Sequence, residues 1–116
     1  MECFIKAVYD HYELLPGEDN DFILADDTII YLEEDAEKIT LLCPCFPLPH
    51  EYHALLALLA YNCRGDTLFG VEEDIVVARR TIYADTVPAD MAKQFGVFIA
   101  DILSVKKDLG LGQPDF

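Results

Sequence analysis

The chain has 116 residues, of which 22 are acidic and 8 are basic, so its formal net charge is −14 and its isoelectric point lies near 4.2. Because 53% of the residues are hydrophobic, the chain is not an acidic disordered tail, and its charge must lie on the surface of a filled core. A surface of this charge repels phosphate backbones and anionic lipids, which argues against nucleic-acid and membrane-surface binding.

The first part of the chain predicts one helix and three short strands. The helix covers residues 2–15, because apolar side chains recur there at spacings of three and four until Pro16-Gly17 ends the pattern. Strands follow at residues 21–25, 28–32 and 38–46, and acidic turns at Asp26-Asp27 and at residues 33–35 separate them. The short turns predict an antiparallel meander.

A second helix is predicted over residues 49–62, with Arg64-Gly65 closing it. Its apolar side chains point nearly all round instead of forming one stripe, so the helix must be buried on more than one side. In a domain of this size, the same helix of a second subunit is the simplest cover for the second side.

Two strands and a last helix complete the predicted order. The strands cover residues 66–71 and Ile75–Tyr83, with Arg79 and Arg80 on opposite faces of the latter. The helix opens at residues 85–87 and ends at Gly110, before a frayed tail. The order α-β-β-β-α-β-β-α predicts an α+β fold in which helices pack on a twisted, mostly antiparallel sheet, as one domain over residues 1–116.

The residues most suggestive of a metal site are Cys43, Cys45, His50 and His53, since two thiols and two imidazoles are a zinc ligand set. The Cys-x-Cys and His-x-x-His spacings depart from the usual ones, so a core cysteine and solvated histidines are the simpler interpretation. The acidic runs lie at turns, where solvent keeps them ionised, and they do not indicate acid–base catalysis. We therefore predict a protein that is not an enzyme and has no cofactor.

The four cysteines, Cys3, Cys43, Cys45 and Cys63, are expected to be reduced. The chain opens Met-Glu-Cys-Phe without the basic region of a signal peptide, which favours a reduced, cytoplasmic setting over a disulfide framework. The longest apolar run, residues 54–61, is too short to span a bilayer.

The central segment resembles a known family. It runs LLALLAYN at residues 55–62, TLFGV at 67–71 and IVVARR at 75–80, and an amphipathic helix follows. With the size, the acidity and the element order, this is similar to the class I chaperones of bacterial type III secretion, the Tir-chaperone (CesT-like) family. The resemblance implies a secretion-chaperone-like fold, no nucleotide hydrolysis, and binding of an extended N-terminal segment of a secreted effector.

The resemblance also implies a homodimer that forms through the second helix and a late strand. The dimer residues predicted on this basis are Tyr52, Leu55, Leu58, Leu59, Val77 and Arg79. A partner held by apolar grooves on the first helix and the sheet predicts a second set of residues. That set comprises Phe4, Val8, Tyr12, Phe22, Leu24, Ile30 and Leu32. Carboxylates near them would attract basic residues of the effector, since residues 1–63 hold 13 acidic and 2 basic side chains.

Two alternatives stay open at the level of sequence. One is a metal- or thiol-dependent small protein that uses Cys43, Cys45, His50 and His53. The other is an acidic inhibitor, of an immunity or nucleic-acid-mimic type, that binds a basic target.

Overall fold

The computed structural model describes residues 2–24, 28–63 and 65–109, and its elements follow the predicted order. The helices are α1 (Glu2–Tyr12), α2 (Tyr52–Tyr61) and α3 (Pro88–Asp108). The strands are β1 (Asp21–Ile23), β2 (Ile29–Glu34), β3 (Lys38–Pro47), β4 (Leu68–Glu72) and β5 (Ile75–Tyr83). The predicted α+β order is confirmed.

The five strands form one sheet in the order β1-β2-β3-β5-β4, and every neighbouring pair is antiparallel. The β1-β2-β3 meander is the one that the short turns predict. β5 lies between β3 and β4, so the chain passes through α2 and β4 before it returns to pair with β3. β1 and β4 are the two edges of the sheet.

Side chains alternate between a covered and an open face of this sheet. On β5, Val76, Ala78 and Ile82 are buried, whereas Arg79 and Tyr83 are exposed. The buried face carries the helices, as ring contacts show. The ring of Phe95 on α3 lies 5.1 Å from that of Phe22 on β1 and 5.9 Å from that of Phe4 on α1. Burying each large apolar side chain in this layer contributes about 1.5–3 kcal/mol.

α3 forms where the sequence predicts an amphipathic helix. Pro88 occupies its first turn, and the predicted stripe of Met91, Phe95, Phe98 and Ile102 is fully buried. α2 is the most apolar helix, and only Leu58 and Tyr61 of its residues are buried. Within the described residues, no helix combines the length and the apolar character needed to cross a membrane.

The ends of the elements differ from the predictions by up to three residues. α1 ends at Tyr12 because Glu13 takes a left-handed backbone conformation (φ 56°), and its N–H bonds the carbonyl of Tyr9 at 2.8 Å. α2 begins at Tyr52 because Glu51 is extended. Some predicted features lie outside the described residues. They are the strand end at Ala25, the turn at Asp26-Asp27, the contribution of Arg64 to the end of the second helix, the helix stop at Gly110 and the tail.

Candidate partner-binding surfaces

The first candidate surface lies on α2 and is here called the α2 face. It consists of apolar side chains that the chain itself leaves exposed or half-buried, namely Tyr52, Leu55, Leu56, Leu59 and the neighbouring Val71 of β4. An apolar cavity of about 260 Å³ opens beside them, and Leu48, Leu58 and Val76 are part of its lining. Adjacent large apolar side chains in contact with solvent mark an interaction surface.

α2 is held in place by side chains at its C-terminal end. The side-chain amide of Asn62 donates to the carbonyl of Phe69 at 3.1 Å, and its oxygen accepts the Phe69 N–H at 2.7 Å. The Tyr61 hydroxyl bonds Ser104 at 2.9 Å and also contacts Asp108, both on α3. These bonds fix the α2 face relative to the edge strand β4 and to α3.

Replacement of Asn62 by alanine is expected to lower the free energy of unfolding by about 1–3 kcal/mol, because it leaves a backbone N–H and a carbonyl of β4 without their partner. Asn62→Asp is the matched variant, since it keeps the acceptor for the Phe69 N–H but sets a carboxylate oxygen against the Phe69 carbonyl oxygen at the C-terminal end of α2, so it should also be less stable than the parent. Urea titrations followed by circular dichroism measure both values. An Asn62→Ala protein as stable as the parent would contradict this role.

The second candidate surface is the open sheet face, defined by Ile23, Tyr31, Leu42, Leu68, Val77 and Arg79. Tyr31 pairs with Leu42, Leu42 with Arg79, and Arg79 with Leu68, so one row of side chains crosses four strands. Gly70 pairs with Val77, and a side chain at Gly70 would meet nothing within 4 Å. A groove of about 360 Å³ therefore lies along β4, lined by Leu68, Gly70 and Val77 among others.

Acidic side chains surround one end of the open sheet face. Glu33, Glu34 and Asp35 are exposed at the end of β2, and Asp21 pairs with Tyr31 across the β1–β2 ladder. Carboxylates therefore border the row of Tyr31, Leu42, Arg79 and Leu68 at its β2 end. They belong to residues 1–63, which carry most of the excess negative charge. Such a border attracts basic groups and raises the rate of encounter with a basic partner.

Most of the predicted partner residues lie in the core. Phe4, Val8, Phe22, Ile30 and Leu32 are buried beneath the helices, where their side chains have no surface to offer. Leu24 is half-buried, and Tyr12 is exposed while its hydroxyl donates to the carbonyl of Ala92 at 3.1 Å. Of the seven residues, only Leu24 and Tyr12 offer accessible surface to a partner. The alternate residues of the same strands, Ile23 and Tyr31, are the exposed ones.

The predicted dimer residues lie on two sides of the sheet. Tyr52, Leu55 and Leu59 belong to the α2 face, whereas Leu58 is buried against the core. Val77 and Arg79 lie on the open sheet face, on the other side of β4. An interface that uses both groups must therefore pass around the β4 edge.

The four residues considered for a metal site do not come together as one set of ligands. Cys43 is buried, Cys45 is half-buried, and His50 and His53 are exposed beyond the end of β3. Across residues 2–24, 28–63 and 65–109, no three His, Cys, Asp or Glu side chains are close enough to hold a metal ion.

The two arginines of β5 separate as the strand alternation predicts. Arg79 is exposed on the open sheet face. Arg80 is buried, where it donates to Thr67 at 3.0 Å and lies 4.0 Å from a carboxylate oxygen of Asp101 on α3. The buried guanidinium thus links β5 to the residue that precedes β4 and to α3, while the exposed one is available to a partner.

The family follows from a comparison with known proteins. A family model described as the type III secretion chaperone domain matches residues 4–110, so the chain belongs to that family. The chaperone protein IpgE of Shigella sonnei is 37% identical over 49 residues, and so is IpgE of Shigella flexneri. The match spans 42% of this chain but only 41% of each IpgE, so less than half of either relative is covered.

Solved structures share the fold. A chain in the HopA1–SchA chaperone–effector complex superimposes with a TM-score of 0.65 at 12% identity, over 91% of this chain and 92% of that chain. For the Yersinia pestis type III secretion chaperone SycH in complex with a fragment of YscM2, the TM-score is 0.66 at 9% identity, over 88% and 96%. At these identities the likeness establishes a secretion-chaperone fold.

Proposed function

We propose that the chain is a non-catalytic type III secretion chaperone which, as a homodimer, binds an extended N-terminal segment of a secreted effector and keeps it competent for export. The proposal includes a single domain over residues 1–116 and a cytoplasmic location. The observation that carries it is the pair of exposed apolar surfaces on an otherwise well-packed chain of the chaperone family. We assign one of the two surfaces to a second copy of the chain and the other to the effector segment.

The α2 face is the better candidate for the second copy. It is rigidly mounted through Asn62, it is apolar, and it adjoins a cavity that a protruding side chain of a partner helix would fill. A two-fold dimer places the same face on both subunits, so each residue of the face contributes twice.

The open sheet face is the better candidate for the effector segment. Its apolar row and its groove beside Gly70 offer side-chain contacts to an extended chain. The structures of SchA with HopA1 and of SycH with YscM2 each contain a chaperone of this fold with a bound protein. The acidic border adds attraction for a segment that carries Lys or Arg.

The test is co-expression with N-terminal fragments of the type III secreted proteins of the native host, followed by calorimetry on any complex that co-purifies. The wild-type chain is expected to bind at least one such fragment, and Tyr31→Ser should weaken binding at least tenfold, which corresponds to about 1.4 kcal/mol. Tyr31 is 40% exposed, so its loss should leave the fold intact.

Tyr9→Ser is the matched control, because Tyr9 is 47% exposed on α1, away from both surfaces, and this variant should bind like the parent. A folded wild-type chain that binds none of the fragments would contradict the proposed function. If Tyr9→Ser weakens binding of the fragment and Tyr31→Ser does not, the effector segment binds α1 instead of the open sheet face. Stable binding to a folded basic enzyme instead of an export segment would favour the inhibitor alternative.

A further inference from the structure

The Cys-Pro-Cys segment of β3 contains two cysteines beside an irregularity of the strand. Cys43 is fully buried and pairs with Ala78 of β5. The register then pairs Pro44 with Val77 and Phe46 with Val76, so Cys45 is the extra residue of a β-bulge. Proline supplies no backbone N–H and fixes its own φ, which favours an interruption of the ladder at this point.

The bulge places the Cys45 thiol against the backbone of Cys43. The Cys45 thiol donates to the Cys43 carbonyl oxygen at 3.1 Å, and the Cys43 thiol lies 3.7 Å from the Pro44 carbonyl oxygen. Residues two apart in a chain have Cα atoms at most about 7 Å apart. A disulfide needs Cα atoms about 4.4–6.8 Å apart, so the separation of Cys43 and Cys45 along the chain is compatible with one.

The two cysteines differ in exposure and in environment. The neighbouring Cys43 side chain lowers the pKa of the Cys45 thiol, and the Ala78 backbone and the Lys106 ammonium act in the same direction. Burial opposes these effects. Cys45 is half-buried and Cys43 is sealed in the core, so an oxidant in solution meets Cys45 first.

We propose that Cys43 and Cys45 form an oxidative modification site, in which a hydroperoxide oxidises Cys45 and Cys43 then closes a reversible intrachain disulfide. The Cys45 thiolate attacks one peroxide oxygen, the O–O bond breaks, and the departing oxygen leaves as water or alcohol after protonation. The Cys43 sulfur then attacks the sulfur of the Cys45 sulfenic acid, an S–S bond forms, and the S–O bond breaks to release water. Two thiols are oxidised and one peroxide is reduced. The site is independent of the proposed chaperone function.

The test uses a Cys3→Ser/Cys63→Ser background, because both replaced cysteines are exposed and their loss leaves only the pair. The folded protein is treated with hydrogen peroxide, unfolded in an alkylating agent and weighed intact. We expect a product that has lost two hydrogens and takes up no alkyl group, and that dithiothreitol restores. In the same background, Cys43→Ser should trap a Cys45 sulfenic acid that reacts with dimedone, and Cys45→Ser should leave Cys43 unmodified.

Three results would overturn the proposal. The first is that both thiols stay reduced at peroxide doses that modify Cys3 in the parent. The second is a sulfinic acid at Cys45 while Cys43 stays unoxidised. The third is a disulfide that forms only between chains. Peptide mapping of the treated wild-type chain gives the same answer if a variant fails to fold, because cleavage after Tyr52 separates the pair from Cys63.

Discussion

Leu59→Asp is expected to convert the proposed homodimer to a monomer while the subunit stays folded. Leu59 is 62% exposed in the single chain, so a carboxylate there is solvated in the monomer. In a two-fold dimer through the α2 face, the leucine is buried twice, and each burial contributes about 1.5–3 kcal/mol. Because only 62% of the side chain remains to be covered, the two burials together contribute about 2–4 kcal/mol, so the dimer should weaken at least about thirtyfold before the cost of burying the charge.

Light scattering after size exclusion, over a series of protein concentrations, measures this effect. The matched control is Leu103→Asp, which introduces the same charge. Leu103 is 51% exposed on α3, outside the α2 face. That variant should keep the mass of the parent. A monomeric parent at micromolar concentration would contradict the homodimer, and an unchanged mass for Leu59→Asp would remove α2 from its interface.

Phe95→Ala is expected to cause the largest loss of stability among single changes in the core, about 3–5 kcal/mol. Phe95 is fully buried, and its ring contacts the rings of Phe4, Phe22 and Tyr12 at centroid distances of 5.1–5.9 Å. Truncation leaves a cavity between α1, α3 and β1 that these rigid rings cannot close. Since whole domains are stable by about 5–15 kcal/mol, this variant should be close to unfolding.

The free energy of unfolding from urea titration checks the expectation. Val97→Ala is the control on the same helix, because Val97 is partly exposed and its loss should cost less than about 1 kcal/mol. Similar losses for the two variants would show that the aromatic cluster is not the centre of the core.

The order of helices and strands could be predicted from the sequence because its signals are local. The stripe of α3 and the turns between the first strands lie within a few residues of the elements that they define. The ends of the helices could not be predicted as well. The left-handed conformation that ends α1 falls on Glu13, and no glycine at that position signals it in the sequence. The insertion of β5 between β3 and β4 depends on contacts between distant segments.

The candidate surfaces could be predicted only in part, for a physical reason that differs between them. On α2, apolar side chains all round the helix predict a second buried side, and the single chain leaves that side exposed, so its cover by a second subunit stays a prediction. On β1 and β2, both alternating sets are apolar, since Phe22 and Ile30 are flanked by Ile23 and Tyr31. Period-two alternation then cannot say which face the helices cover. The contact between Phe22 and Phe95, which decides it, links residues far apart in the sequence.

The ring contacts of Phe95 have a consequence for biosynthesis. Helix α1 and strand β1 have the centre of their core on α3, so they cannot complete it until α3 has left the ribosome. Until then, the nascent chain carries Phe4 and Phe22 without their partner. The segment before α3 also holds most of the acidic residues, and their mutual repulsion opposes association between nascent chains.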